Sequence, residues 1–185
     1  MLYTRKGDNG TTKTFGCDQR ISKSSIVAEA LGVLDETNSY LGLARAKTDG
    51  TNFEITSGKI KFSDIILEIQ QNLFIVQAEV AGSTLSIAKE KITKVENIVD
   101  GIEKVLPPIK SFFISGATEI GATFDFARTL ARKAERRVIA AKEEGKVKVS
   151  DDTLAYLNRL SSLLYALARI SSHQEGEEEL KPDYR

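Results

Sequence analysis

The strongest chemical signal in the chain is a row of arginines at helical spacing in residues 128–137. The stretch reads Arg-Thr-Leu-Ala-Arg-Lys-Ala-Glu-Arg-Arg and contains no proline. Residues three and four apart share a helical face, so Arg128, Arg132 and Glu135 form a basic stripe that includes one carboxylate. Arg136 lies at its edge, and we call these four residues the arginine stripe. Because guanidinium groups are planar and permanently charged, the stripe favours phosphate binding; the alternative is a solvated charged face.

Residues 1–22 form a second candidate site, which we call the arm. Gly7 and Gly10 permit close backbone approach to a ligand, and hydroxyl and basic side chains surround them, as in phosphate-binding loops. The polar candidates are Thr4, Arg5, Lys6, Thr11, Thr12, Lys13, Arg20 and, just beyond the arm, Lys23. The spacing of a Walker A loop is absent. With little apolar surface to bury, the arm is predicted to be a loop lying on the fold, or else a flexible terminus.

Three weaker candidates lie elsewhere in the chain. Residues 35–39 place mediocre helix formers in a helical run, which indicates either an exposed face or an Asp35 that pairs with an arginine, possibly across a subunit boundary. Asn158 could contact a nucleotide, although an isolated asparagine is usually structural or solvated. Phe112 and Phe113 precede Ser115, and aromatic residues in such a place are most often part of the core.

Composition limits the function classes. The chain has 185 residues, of which 41% are hydrophobic and 28% charged; Lys+Arg and Asp+Glu both number 26, so the net charge is zero. A whole-surface attraction for nucleic acid is therefore not expected, and any anion site must be local. Cys17 and His173 are the only residues of their types, which excludes an intrachain disulfide and a cysteine or histidine metal cluster. Because no apolar run has membrane-spanning length and the first residues do not resemble a signal peptide, we expect a cytoplasmic protein without a membrane partner.

Apolar residues recur at three- and four-residue steps in four long segments and one short one. They predict helices over about 24–48, 59–81, 92–106, 118–144 and 150–173, followed by a frayed acidic tail over 175–185. The apolar link 109–115 is predicted to be strand-like. Short connections between amphipathic helices favour an all-α antiparallel bundle, and we expect one domain because no linker divides the chain.

Five motifs, taken in order, resemble the ATP:cob(I)alamin adenosyltransferases of the propanediol-utilisation type. The matching residues are Tyr3-Thr4-x-x-Gly7-Asp8-x-Gly10-Thr11-Thr12, Gln19-Arg20-x-x-Lys23, Glu29-Ala30-x-Gly32-x-x-Asp35-Glu36-x-Asn38-Ser39-x-Leu41-Gly42, Arg128-x(3)-Arg132-x-x-Glu135-Arg136-Arg137 and Leu157-Asn158-Arg159-Leu160-Ser161. A match to one motif would be weak evidence, whereas five in the same order cover both ends of the chain.

The resemblance implies a fold, an assembly and a reaction. The fold would be a five-helix up-and-down bundle of ferritin-like type that forms a homotrimer, with each active site between neighbouring subunits. The arm of one subunit and the arginine stripe of another would hold ATP. The reaction would transfer the 5′-deoxyadenosyl group of ATP to the cobalt of cob(I)alamin, giving adenosylcobalamin and triphosphate. The phosphates of ATP would hold Mg²⁺, without a metal site on the protein, and a reductase and a cobalamin-dependent mutase would be partners.

The resemblance also implies a role for each matching residue. The residues assigned to ATP are Thr4, Arg5, Lys6, Gly7, Thr11, Thr12, Lys23, Arg132, Lys133, Glu135, Arg136 and Asn158. Those assigned to catalysis are Arg132, Arg128, Asp35 and Glu135. Asp35 and Arg128 would join subunits and shape the cobalamin pocket. Phe112 would crowd the lower face of the corrin, which excludes the lower axial ligand and makes cobalt(II) easier to reduce.

The chain departs from the family pattern at four places. Lys133 stands where a second arginine is usual, Asp125 where a histidine is common, and Ser162 where an acid is usual. Ser115-Gly116-Ala117-Thr118 replaces a turn rich in proline and glycine. The alternative function is a non-catalytic bundle that binds ATP or another polyphosphate in cofactor sensing or delivery, and a weaker alternative is a purely structural oligomer.

Overall fold

The computed structural model describes residues 3–14, 19–56 and 58–184, which form five helices and two small antiparallel sheets. The helices are α1 (Ile26–Lys47), α2 (Phe62–Val80), α3 (Lys89–Glu103), α4 (Glu119–Glu143) and α5 (Asp151–Gln174). The strands are β1 (Thr11–Lys13), β2 (Arg20–Ser22), β3 (Asn52–Ile55) and β4 (Gly58–Lys61). The prediction of five helices is confirmed, whereas the all-α prediction missed both sheets. None of the described helices is long and apolar enough to cross a membrane.

Side-chain caps fix the starts of three helices. Ser25, Thr118 and Ser150 each accept a hydrogen bond from the backbone amide three residues later, which satisfies an amide in the first turn of α1, α4 and α5. Gly145 follows α4 with a φ of 67°, a left-handed conformation that glycine adopts readily. These local signals explain why the predicted ends of α1, α4 and α5 lie within about two residues of the observed ones.

Helices α1 and α4 run antiparallel, and charged side chains join both of their ends. Lys47 near the end of α1 contacts Glu119 at the start of α4. Toward the other end, Arg137 Nε lies 3.6 Å from Glu29 Oε1. Between these pairs the helices bury an apolar interface that belongs to the main hydrophobic core. This packing fixes which face of α4 points away from α1.

The β3–β4 hairpin corrects the predicted start of the second helix. Phe53 and Ile55 are buried while Glu54 between them is exposed, which is the alternation of a strand with one covered face. Gly58, with a φ of 127°, begins β4, so α2 starts at Phe62 rather than at residue 59. The helical assignment failed because Ile60 matched the three- and four-residue spacing equally well.

Four further predictions need correction. The arm contains the β1–β2 hairpin, in which Thr12 lies opposite Ile21, so its described residues are not a simple loop. Residues 109–115 form no strand, and α3 starts and ends three residues earlier than predicted. The acidic tail is held against the fold, because Glu179 pairs with Arg169 of α5.

Candidate functional site

Helices α4 and α5 run antiparallel and face each other along one side of the fold. Asn158 Nδ2 donates a hydrogen bond to Glu135 Oε1 at 3.0 Å near one end. Farther along, the Arg128 guanidinium lies 5.7 Å from the centre of the Tyr165 ring. The arginine stripe of α4 therefore runs beside the face of α5 that carries Asn158 and Tyr165.

A glycine in α4 permits the close approach of the two helices. A Cβ atom at Gly121 would lie 2.5 Å from Ser172 Oγ, 2.9 Å from Thr118 Oγ1 and 3.2 Å from the Ala168 carbonyl oxygen. These distances are too short for a side chain, so the α4–α5 spacing depends on glycine at this position. The spacing in turn positions Arg128, two turns farther along α4, against α5.

An open cleft of about 570 Å³ lies beside this helix pair. The residues that line it are Ile109, Ser111, Phe112, Phe113, Arg128, Arg132, Ser161, Ser162 and Tyr165. The structure thus brings Phe112, Arg128 and Arg132 to one cavity. Phe112 is 80% exposed, so the expectation that such an aromatic belongs to the core is wrong for this residue. The lining of the cleft therefore combines an apolar ring with guanidinium groups.

The arginines of the stripe differ in how their charge is balanced. Arg128 Nε lies 3.2 Å from Asp125 Oδ1 and packs over Tyr165. Burial raises the pKa of Tyr165, against the effect of nearby Arg169, so its hydroxyl stays protonated at neutral pH. Arg132 and Arg136 are exposed and make no hydrogen bond or ion pair with any residue that the structure describes. Arg132 therefore leaves net positive charge at the cleft, and Arg136 lies one turn farther along α4.

Two other predicted ATP contacts lie beside the stripe. Lys133 Nζ is 2.9 Å from Glu36 Oε2, which turns the lysine toward α1 rather than toward the cleft. Asn158 bonds to Glu135 and accepts a hydrogen bond from Arg159 Nη1 at 2.9 Å. The carboxylate of Glu135 and the amide of Asn158 therefore hold each other in fixed orientations at the end of the stripe.

Asp35 is exposed on α1, and its side chain has no hydrogen-bond or ion-pair partner in the described part of the chain. Arg128 pairs with Asp125 instead. The Asp35–Arg128 pair was predicted across a subunit boundary, which a single chain does not test, and it stays a prediction.

Arg20 holds the described part of the arm together. Its Nε donates to Thr11 Oγ1 at 2.6 Å, and its Nη2 donates to the Thr11 carbonyl at 2.8 Å and also to the carbonyl of Lys6. The Lys23 amide donates to the Gly10 carbonyl at 2.9 Å. A Cβ at Gly7 would lie 3.1 Å from Lys23 Nζ, so this position leaves room for the ammonium group. The predicted ligands Lys6, Gly7, Thr11 and Lys23 are therefore neighbours.

Among the described residues, no hydrogen bond or ion pair links the arm to the arginine stripe of the same chain. No hydrogen bond or ion pair of residues 3–12 reaches Arg132 or Arg136 in the described regions. The resemblance assigned the two halves of the nucleotide site to different subunits, so this separation leaves that prediction open. The described residues also contain no group of three or more His, Cys, Asp or Glu side chains that could hold a metal ion.

The sequence reasoning missed two residues of α5 near the cleft. Tyr165 lines it, and Arg169 lies one turn farther along and contacts the segment that carries Phe112. With Asn158 and Ser162 they follow steps of four, three and four residues, so all four share one helical face. Extending the Asn158 motif by this spacing would have found them.

Comparisons with known proteins were consistent with this geometry. A family model described as cobalamin adenosyltransferase matches residues 2–171. A corrinoid adenosyltransferase from Bacillus subtilis is 33% identical over 182 residues, which is 95% of this chain and 88% of that protein. Corrinoid adenosyltransferase PduO from Citrobacter freundii is 36% identical over 179 residues and 93% of this chain. The chain spans about half the length of that relative, 50%.

A solved structure with the same fold contains the expected ligands. It is a variant of a PduO-type ATP:corrinoid adenosyltransferase from Lactobacillus reuteri, complexed with cobalamin and ATP. The TM-score is 0.88 and the sequence identity 26%, and the alignment covers 100% of this chain and 97% of the other.

Proposed function

Because this chain belongs to the cobalamin adenosyltransferase family, we propose that it transfers the 5′-deoxyadenosyl group of ATP to the cobalt of cob(I)alamin. The observation that supports this most directly is the shared cleft of Phe112, Arg128 and Arg132. An apolar ring suits the face of a corrin, and the unpaired guanidinium group of Arg132 suits a polyphosphate. Relatives with this activity, as their names state, match over most of the chain.

In the proposed reaction, cobalt(I) attacks the 5′-carbon of ATP, and the bond from that carbon to the phosphate oxygen breaks. Triphosphate leaves with the electron pair of the broken bond. Because cobalt(I) is a very strong nucleophile, the protein's task is to align the reactants and to stabilise the leaving group. Arg132 and Arg136 are free to supply that charge, since no described carboxylate neutralises them. Glu135 and Asn158, fixed by their hydrogen bond, would orient the nucleoside end of the substrate.

Phe112 would act by excluding water and ligands from the lower face of the corrin. Its ring is exposed at the cleft and contains no group that can coordinate cobalt. Cobalt(II) without a lower ligand is easier to reduce, so an apolar cover would favour formation of the cobalt(I) nucleophile. Asp125, where a histidine is common, would keep Arg128 in place beside this pocket.

We propose that the active protein is a homotrimer of up-and-down bundles with its sites between subunits. Three observations support this assembly: Asp35 has no partner among the described residues, no hydrogen bond or ion pair links the described arm residues to the arginine stripe of the same chain, and apolar side chains lie exposed on α1 and α4. Leu43 is 49% and Phe126 52% exposed, and Phe126 packs edge-on against Tyr40, with 4.8 Å between ring centroids. An exposed apolar patch of this kind is typical of a protein–protein interface. Asp35 of one subunit would then pair with Arg128 of the next.

The remaining predictions complete the proposal. The arm (1–22), the helices (24–174) and the tail (175–185) act as one domain. The arm residues Thr4, Arg5, Lys6, Gly7, Thr11 and Thr12 bind ATP together with Lys23 and Lys133. The phosphates of ATP carry Mg²⁺, as they commonly do in nucleotide complexes. A cytoplasmic location, a reductase that supplies cobalt(I) and a mutase that uses the product stay predictions.

The decisive experiment combines the purified chain with ATP, Mg²⁺ and chemically reduced cobalamin under anaerobic conditions. Formation of adenosylcobalamin with one triphosphate per cobalt would support the proposal. ATP binding without either product would favour the non-catalytic nucleotide-binding bundle instead. Absence of nucleotide binding would leave only a structural oligomer.

A further inference from the structure

The segment 107–117, which joins α3 to α4 and carries Phe112, has no regular secondary structure of its own. In the described part of the chain it makes two hydrogen bonds. The Pro107 carbonyl accepts one from Arg169 Nη2 at 3.1 Å, and the Ile114 amide donates the other to the Leu180 carbonyl at 2.8 Å. One anchor lies on each side of Phe112, and each involves α5 or the C-terminal tail.

Arg169 connects these anchors. It is 6% exposed, and its Nε and Nη2 donate to the two carboxylate oxygens of Glu179 at 2.6 and 2.8 Å. Its guanidinium also lies 5.4 Å from the centre of the Phe113 ring, directly beside Phe112. The hydrogen bonds to Glu179 raise the pKa of Arg169, against the opposing effect of burial. The buried guanidinium group of Arg169 thus contacts both the segment 107–117 and the C-terminal tail.

We propose that Arg169 and Glu179 are positioning residues that set the location of Phe112 against the corrinoid. This inference depends on the proposed function. Neither residue touches the substrate; they act through the backbone on both sides of Phe112. The exposed ring of Phe112 makes no ring–ring contact with any aromatic residue that the structure describes. Its position is therefore determined by the backbone, and small displacements of groups at a reacting centre reduce rates strongly.

The neighbouring glutamate offers a matched control. Glu178 is exposed, and its side chain has no hydrogen-bond or ion-pair partner in the described ranges, whereas Glu179 makes the bidentate pair. Glu179→Gln and Glu178→Gln remove the same charge from adjacent positions. Glu179→Gln keeps the size of the side chain and weakens only the charge-assisted bonds. Arg169→Lys keeps the positive charge but loses the fork that reaches Glu179 and Pro107 together.

The first measurement needs no substrate. Amide hydrogen exchange of Ile114 in the ligand-free protein reports whether the tail holds the segment. We expect exchange roughly tenfold faster in Glu179→Gln, which corresponds to loss of one charge-assisted bond, and an unchanged rate in Glu178→Gln. Equal exchange rates of the Ile114 amide in the two variants would refute the proposal that Glu179 holds the segment 107–117. This outcome does not depend on whether the chain is an adenosyltransferase.

The second measurement tests the consequence for the corrinoid. The electron paramagnetic resonance spectrum of bound cobalt(II) corrinoid, with ATP present, gives the fraction that lacks a lower ligand. We expect this fraction to fall in Glu179→Gln and Arg169→Lys while the KM for ATP stays near the wild-type value. A change in the KM for ATP that accompanies the change in the spectrum would refute the positioning role. A wild-type spectrum in both variants would refute it as well. A wild-type protein that forms no adenosylcobalamin would instead refute the proposed function.

Discussion

Replacement of Arg132 by alanine separates a ligand-binding role of the arginine stripe from a structural one. Arg132 is exposed at the cleft and has no partner among the described residues, so the free energy of unfolding should change by less than about 0.5 kcal/mol. Each charge-assisted contact to the leaving triphosphate is worth about 1.5–3 kcal/mol. Loss of a fixed donor at a developing charge lowers kcat by roughly 10²–10³. We therefore expect a strong loss of turnover in a protein of normal stability.

The assay follows adenosylcobalamin formation by absorbance, and urea unfolding measures stability in parallel. Arg137→Ala is the matched control, because Arg137 lies on the same helix and points to Glu29 of α1 rather than to the cleft. It should keep most of the activity. Turnover of Arg132→Ala close to the wild-type rate, or a loss equal to that of Arg137→Ala, would refute the role given to Arg132.

Three further predictions test the assembly, the helix spacing and the core. Asp35→Ala should weaken the use of corrinoid more than ATP binding, and equal losses in the two KM values would contradict the proposed subunit pair. Gly121→Ala should lower the free energy of unfolding, measured with urea, by about 1–3 kcal/mol, because the added Cβ would lie 2.5 Å from Ser172 Oγ. Adding Ser172→Ala should restore part of that free energy. Burial raises the pKa of Tyr156 above its ordinary value of 10.0, against the hydrogen bond from Asn72, so the folded state keeps this proton longer than the unfolded state. The stabilisation from this pKa shift is complete below pH 10 and is lost as the pH rises further. The free energy of unfolding should therefore fall more between pH 9 and pH 11 in the wild type than in Tyr156→Phe.

Much of the helical architecture could be predicted from the sequence, because helix periodicity and capping residues are local signals. Ser150 and Gly145, for example, mark the junction between α4 and α5 in both the sequence and the structure. The β3–β4 hairpin was missed because its apolar residues also fit helical spacing, and only burial of Phe53 and Ile55 against the rest of the fold decides between the two. Local patterns do not contain that information.

The candidate site was predictable to a similar degree. The spacing of Arg128, Arg132 and Glu135 is enough to place them on one face of a helix. The contact of Arg169 with Glu179 was not predictable, because the sequence of an acidic tail predicts a solvated segment and does not identify a partner in the fold. Residues that support a site through distant parts of the chain are difficult to identify from one sequence.

The folded hairpin of the arm has an energetic consequence for the proposed binding of ATP. Fixing the backbone of one residue costs about 1–2 kcal/mol of conformational entropy. In a disordered arm, this cost would reduce the free energy of binding. Hydrogen bonds within the arm, from Arg20 to the carbonyl oxygens of Thr11 and Lys6, hold its described residues together. Changing Arg20 should therefore raise the Kd for ATP even if its side chain never touches a phosphate, since the arm would then have to order itself in the bound state.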